Sequence, residues 1–251
     1  MLIAQISDTH ILAKSSGHPK AASRAENLRR CIADIGRLDP RPDIVLFTGD
    51  TVQTGTPEDY DHLKELIVPL QPPIYATPGN RDDRENFHTA FGTERRDAPF
   101  MHYTVEDLPV RLVALDSIGP GHNLGVFCAD RQRWLDDALA SAPDRPTILF
   151  IHHPPFDLGT FYVDGYKDPD DREGLAAVVA RHPQVRRLLC GHCHRSSQRA
   201  WAGTEATTMA SIACDVRYGV DAPHLAETPI YQLHAVSEDG TVTTRSQLAL
   251  D

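Results

Sequence analysis

The 251-residue sequence contains no apolar run approaching the roughly 18 residues that a membrane helix needs, which excludes a membrane-spanning helical protein. It is short of positive charge: 25 Lys and Arg stand against 35 Asp and Glu, a net −10 with the 13 histidines neutral. An acidic surface repels phosphate backbones at long range, so stable nucleic-acid binding is excluded as well. Cysteine is scarce. The five (Cys31, Cys128, Cys190, Cys193, Cys214) make an odd set, and no secretion signal precedes them, because Leu2-Ile3-Ala4-Gln5-Ile6 already reads as a strand. That is no disulfide framework, and it predicts a cytoplasmic location. Repeats, low-complexity tracts and Gly/Ser linkers are lacking too, so residues 1–251 are expected to form one domain.

What the chain does have is a regular alternation of apolar runs. Residues 2–7, Asp43–Phe47, Ile74–Ala76, 101–106, 110–116, Thr147–Ile151 and Val185–Leu189 read as strands. Between them fall helices: one near 24–37 with Ser23 and Glu26 spaced as a capping box, one opened by Thr56-Pro57, one capped by Asp130 and one near 172–181. From about 199 the chain is strand-rich, with 229–236 and 241–248 joined at Asp239-Gly240. This order predicts an α/β fold of two sheets packed face to face with helices outside.

Five polar clusters sit just past the carboxyl ends of these strands, where ligand sites converge in open α/β sheets. They are Asp8-Thr9-His10, Gly49-Asp50, Gly79-Asn80-Arg81-Asp82, His152-His153-Pro154-Pro155 and Gly191-His192-Cys193-His194. Alternate residues of an extended segment point the same way, so Asp8 and His10 can share a cation, as can His192 and His194. The glycines before Asp50, Asn80 and His192 permit sharp turns. Any one cluster is a common accident. Five in order are not.

In these motifs the chain resembles the calcineurin-like metallophosphoesterases, whose pattern is DxH … GD … GN[HR] … H … GHxH. Ile6-Ser7-Asp8-Thr9-His10, Gly49-Asp50 followed by Gly55, and His152-His153-Pro154-Pro155 are most similar to the class III cyclic-nucleotide and glycerophosphodiester phosphodiesterases. The resemblance runs from residue 2 to about 196. It implies a four-layer αββα sandwich of two mixed β-sheets flanked by helices. It also implies two divalent or mixed-valence transition metals (Fe, Mn, Zn or Co). Asp8, His10 and His194 would bind one, Asn80, His152 and His192 the other, with Asp50 bridging. The implied activity is hydrolysis of a small phosphodiester by in-line attack of a metal-bridging hydroxide. Such chemistry needs positioning and charge stabilisation more than a covalent nucleophile, and no Gly-x-Ser-x-Gly elbow is present.

Arg81 departs from the histidine most of that subgroup carries after the Asn. An arginine cannot give up its proton, but its fork can hold a phosphoryl oxygen. Leaving-group protonation then falls to His153, to water or to no group at all, and substrates with good leaving groups are expected. Arg81, His153 and Asn80 are accordingly the candidate catalytic residues. The Gly-Asn-Arg-Asp string also occurs in nucleotide-sugar pyrophosphatases, so a pyrophosphatase or phosphomonoesterase on the same fold is the alternative. Cys190-Gly191-His192-Cys193 offers a more distant one, a thiol–disulfide oxidoreductase. Residues 156–171 form a long loop with four aromatics that can act as a lid or as packing. His122 and Asn123, in the Gly-Pro-Gly loop, read as solvated loop residues with an approach to the substrate as the alternative; Asp116 ends a strand and is not among the expected site residues, though it could stand behind them, and the other histidines read as surface or packing residues. Homo-oligomer formation is open, with the β-rich tail as a surface for it.

Overall fold

The computed structural model describes residues 1–92, 99–121, 123–159, 165–218 and 227–250. Strands and helices alternate first: β1 (Leu2–Ile6), α1 (Ala21–Arg37), β2 (Ile44–Thr48), α2 (Pro57–Ile67), β3 (Ile74–Thr77) and α3 (Arg84–Phe91). A second series follows with β4 (Tyr103–Val105), β5 (Arg111–Leu115), α4 (Ala129–Ala140), β6 (Thr147–Ile151), α5 (Pro169–Ala180) and β7 (Val185–Cys190). The last part holds β8 (Ser197–Trp201), β9 (Thr204–Thr208), a 3₁₀ turn at Cys214–Val216, β10 (Ile230–Val236) and β11 (Val242–Leu248).

Two mixed sheets result, ordered β11-β10-β1-β2-β3 and β4-β5-β6-β7-β9-β8. In the first sheet β1, β2 and β3 run parallel and β10 and β11 add antiparallel pairings at one edge; in the second the central strands are parallel and β4 and β8 pair antiparallel at the two edges. The central strands read as unbroken apolar runs because both of their faces are covered. Ala4, Ile6, Val45 and Phe47 pack under Leu28, Ile32 and Ile35 of α1 and Tyr60 and Leu63 of α2. Val113, Leu115, Leu149 and Ile151 do the same under Leu135 and Leu139 of α4 and Leu175 and Val178 of α5. The opposite faces, Ile3, Ile44 and Leu46 from one sheet and Leu112, Ile148 and Phe150 from the other, meet in a third core. This is the expected αββα layering. No helix of the described residues is long and apolar enough to cross a membrane.

Several local expectations change. Helix α1 starts at Ala21 with Lys20 as its N-cap and no capping side chain; Ser23 Oγ instead donates to the Lys20 carbonyl, and Glu26 pairs with Arg29. Asp130 lies inside the first turn of α4, where it pairs with Arg133, and Cys128 is the N-cap. Helix α5 starts three residues early, because Asp168 accepts from Asp170 N–H ahead of Pro169. Helix α3 was not anticipated; Asp83 caps it through Asn86 N–H. The tail does not form one unit: β8 and β9 extend the second sheet, whereas β10 and β11 extend the first beside β1.

Candidate metal centre

The five clusters meet where the parallel strands end. Asp8 and His10 follow β1, Asp50 follows β2, Asn80 follows β3, His152 follows β6, and His192 and His194 follow β7. Asp8, His10, Asp50, His152 and His192 are buried, and Asn80 and His194 half-buried. Among the described residues six non-glycine residues have positive φ, and five of them are Asp8, His10, Asp50, His192 and His194. Such conformations cost of order 1–3 kcal/mol each and persist only where surroundings over-determine them. Their concentration here marks the site.

The glycines serve the site mostly by leaving room. A Cβ on Gly191 would strike Ser7 Oγ, and one on Gly79 would strike the Asp50 amide. Only Gly49, at φ 87°, also needs glycine's conformational freedom.

Side chains divide into two neighbouring sets. Asp8, His10, Asp50 and His194 offer ligand atoms within 4.8 Å of one another, and so do His152, His153 and His192. Asn80 joins the second set, its Oδ1 lying 3.2 Å from His152 Nε2. Asp50 faces both: its Oδ2 is 3.8 Å from His10 Nε2 and its Oδ1 3.4 Å from His152 Nε2.

The proton pattern fits cations. His152 Nδ1 donates to the Thr48 carbonyl at 2.7 Å, so its Nε2 carries a bare lone pair. That lone pair faces two further acceptors, Asn80 Oδ1 and Asp50 Oδ1. In the first set His194 Nδ1 donates to the Val216 carbonyl at 2.8 Å, which turns its Nε2 toward Asp8 Oδ1 at 3.2 Å and His10 Nε2 at 3.1 Å. A proton or a metal ion must sit between such groups. The electrostatics agree: burial disfavours the His194 cation, yet Asp8 raises its pKa. Burial pushes Asp50 up to about 6 and holds His10 well below the usual histidine range. His/Asp/Asn donor sets of this kind suit first-row transition metals.

Not every expected residue faces the ligands. Both ring nitrogens of His153 are engaged: Nε2 donates to the Asn123 carbonyl at 3.0 Å, and Nδ1 accepts from Ser117 Oγ at 2.7 Å. Neither is left to protonate a leaving group in this arrangement. Arg81 donates its backbone N–H to Asp50 Oδ1 at 2.7 Å, while its exposed side chain lines a cleft of about 420 Å³ with His10, Gln53, His194 and Tyr218. Asn123 lies beside Asn80, accepting from its Nδ2 at 3.3 Å; His122 lies outside the described residues. Asp116 touches Arg84 and the N–H groups of Met101 and Ile118, none of them ligands. Of the 156–171 loop, residues 160–164 lie outside the described residues; Tyr166 is buried and donates its hydroxyl to the His153 carbonyl. Cys190 and Cys193 are fully buried, and burial pushes the Cys190 thiol well above its ordinary value. That removes the oxidoreductase alternative, which needs an accessible thiolate.

Residues 1–196 match the family model described as calcineurin-like phosphoesterase. The chain belongs to the calcineurin-like phosphoesterases. It is 36% identical over 252 residues to "Probable glycerophosphodiester phosphodiesterase GpdQ" of Arcobacter nitrofigilis, covering 98% of this chain and 92% of that one. It is 32% identical over 262 residues to a "Probable cyclic nucleotide phosphodiesterase" of Rhodopseudomonas palustris, covering 100% and 94%. A dimetal phosphatase from Danio rerio shares the fold, with a TM-score of 0.77 at 13% identity over 100% of this chain and 97% of that one. Family membership makes the chain a phosphoric ester hydrolase. Asp82, of the Gly79–Asp82 cluster, does work the sequence did not reveal: it accepts from the N–H groups of Gly79, Thr51 and Val52 and from the hydroxyls of Thr51 and Tyr60. It thereby locks the Asp50 and Asn80 loops together.

Proposed function

We propose that this calcineurin-like phosphoesterase is a two-metal phosphodiesterase for small phosphodiesters such as a cyclic nucleotide or a glycerophosphodiester. Asp8, His10 and His194 would hold one ion and Asn80, His152 and His192 the other, with Asp50 available to both sets. The observation that carries the reading is the convergence of bare acceptors on both sides of the Asp50 carboxylate. The two bacterial relatives carry phosphodiesterase names, which agree with it. Two bound cations supply hydroxide near neutral pH and neutralise phosphoryl oxygens.

The chain's own residues supply the rest. Thr48 and Val216 carbonyls fix the tautomers of His152 and His194. Arg81, in the cleft beside His10 and His194, holds a non-bridging phosphoryl oxygen through its guanidinium. With His153 committed to Ser117 and Asn123, no side-chain acid serves the leaving group in this reading. The metals belong to the Fe, Mn, Zn and Co group. A cytoplasmic location rests on five cysteines, none of them in a disulfide.

The test is a paired rate assay on chelator-stripped protein reloaded with Mn, comparing a bis(nitrophenyl) phosphodiester with the matching monoester. Diester turnover above monoester turnover, lost without metal, supports the proposal. Preference for the monoester or for a pyrophosphate moves the chain to the alternative class.

A further inference from the structure

We propose that Arg24 and Asp215 are positioning residues for the first metal site: together they clasp a ligand-free strap, residues 211–218, over Asp8, His10 and His194. The inference rests on the two-metal reading above. The strap lies beyond the residues that carry the family motifs and contributes no ligand, yet five of its hydrogen bonds join it to Ser7, Asp8 and His194. Ser211 Oγ donates to the Asp8 carbonyl at 2.7 Å, and the N–H groups of Ile212 and Ala213 reach the carbonyls of Ser7 and Asp8 at 3.2 and 3.3 Å. The Val216 carbonyl accepts from His194 Nδ1, and Tyr218 N–H donates to the His194 carbonyl at 3.2 Å. The Tyr218 ring also stacks on His194, with centroids 6.1 Å apart and planes at 21°.

Arg24, from α1, fastens this strap. Its Nε and Nη2 reach Asp215 Oδ1 and Oδ2 at 3.1 and 2.8 Å, a two-pronged pair in which the arginine side chain is only 6% exposed. Its Nη1 donates to the His10 carbonyl at 3.3 Å and to Gln53 Oε1 at 2.7 Å. One guanidinium therefore touches the backbone of one ligand and, through Asp215, the turn that sets the tautomer of another. The three ligands so held have φ of 53°, 46° and 51°. Backbone strain of that kind relaxes unless contacts over-determine it, and relaxation here would pull the ligand atoms apart. His152 and Asn80, in the second site, are held by Thr48 and Asn123 instead.

The asymmetry gives the test, a cobalt(II) titration of chelator-stripped protein followed by visible absorption and calorimetry, which reads binding without turnover. Wild type takes up two ions in two steps. Arg24→Met and Asp215→Ala weaken one step by about 10- to 100-fold, the loss typical of removing an outer partner of a metal ligand, and leave the other step unchanged. Asp215→Asn, whose amide oxygen still accepts from the guanidinium, recovers part of the loss. Arg187→Met serves as a control, since Arg187 is a buried arginine bonded to the Val242 carbonyl and Glu205, away from the site. It lowers the melting temperature and leaves both steps intact.

Two intact steps in Arg24→Met and Asp215→Ala overturn the clasp while the two-metal reading stands. Equal weakening of both steps, or the same weakening in Arg187→Met, also overturns it, as general destabilisation. Fewer than two ions in wild type overturns the two-metal reading itself. If Arg24→Met does not fold, the two Asp215 variants decide alone.

Discussion

A guanidinium holds a phosphoryl oxygen through two N–H groups, but it cannot hand a proton to a departing alkoxide at any working pH. Arg81 therefore ties substrate preference to leaving-group quality. Its side chain is exposed in the cleft, so a histidine fits there without repacking a core. Arg81→His is expected to raise turnover of alkyl diesters about 100-fold, the lower end of what general-acid catalysis contributes. Nitrophenyl diesters, whose leaving group needs no proton, change little. Rates across a series of leaving groups check this: the steep dependence on leaving-group pKa in wild type flattens in the variant. A second residue-scale prediction concerns Gly191. Its missing side chain is the space that Ser7 Oγ, Asp8 Oδ2 and the Thr48 carbonyl occupy. Gly191→Ala is expected to lose about 1–3 kcal/mol, as other overpacked sites do, and to bind metal more weakly because Asp8 is displaced. Melting curves and metal titration read the two effects separately. The residues that converge at the site were legible because Asp, His and Asn at strand ends announce their chemistry. His153 was not, because a motif gives a residue's position and not which way its two nitrogens turn.

At the scale of elements, the apolar runs of the central strands were legible because a strand covered on both faces leaves little choice of residue. Helix starts were less so. Ser23 and Glu26 have the right spacing for a capping box, but the chain enters α1 three residues earlier, and Ser23 bonds back to Lys20 instead. Helix α3 hid because its eight residues hold one fully buried side chain, Phe87, too little for a periodic signal. The start of α2 was read correctly from Thr56-Pro57, yet its main polar contact was not. Asp59 is 1% exposed and accepts from Ala13 N–H at 2.6 Å and from both Thr54 N–H and Thr54 Oγ1. It ties α2 to the loops that follow β1 and β2. Asp59→Ala leaves three donors without a partner and is expected to cost about 3 kcal/mol or more. Thr56→Ala removes one exposed cap and is expected to cost about 1 kcal/mol. Urea unfolding of the two variants, compared side by side, tests whether that ordering holds.

Over the whole molecule, acid sensitivity follows from histidines that fold neutral. His234 is fully buried between the strands of the first sheet: its Nε2 donates to Gln5 Oε1 and its Nδ1 accepts from Thr244 Oγ1, both at 2.9 Å. Burial pushes its pKa down to about 3, and burial does the same to His102, which sits among Phe100, Phe127 and Trp134. In the unfolded chain each titrates near 6.5. As pH falls below 6.5 the unfolded state takes up these protons first, so the stability they lend is complete above 6.5 and drains away between 6.5 and about 3. The loss amounts to a few kcal/mol per histidine at most. In metal-free protein, urea midpoints are therefore expected to fall steadily from pH 7 to pH 4. His234→Gln, which offers an amide to the same two partners and has no proton to gain, makes that decline shallower. A slope unchanged by the substitution would assign acid sensitivity to other groups. Metal binding steepens the decline from the other side, because cations at the Asp50 bridge stabilise only the folded chain and a carboxyl pushed up to about 6 competes for them with protons. The metal-loaded protein should thus be the more stable form at pH 7, with an advantage that shrinks as pH drops through 6. Paired denaturation series with and without Mn separate the two contributions.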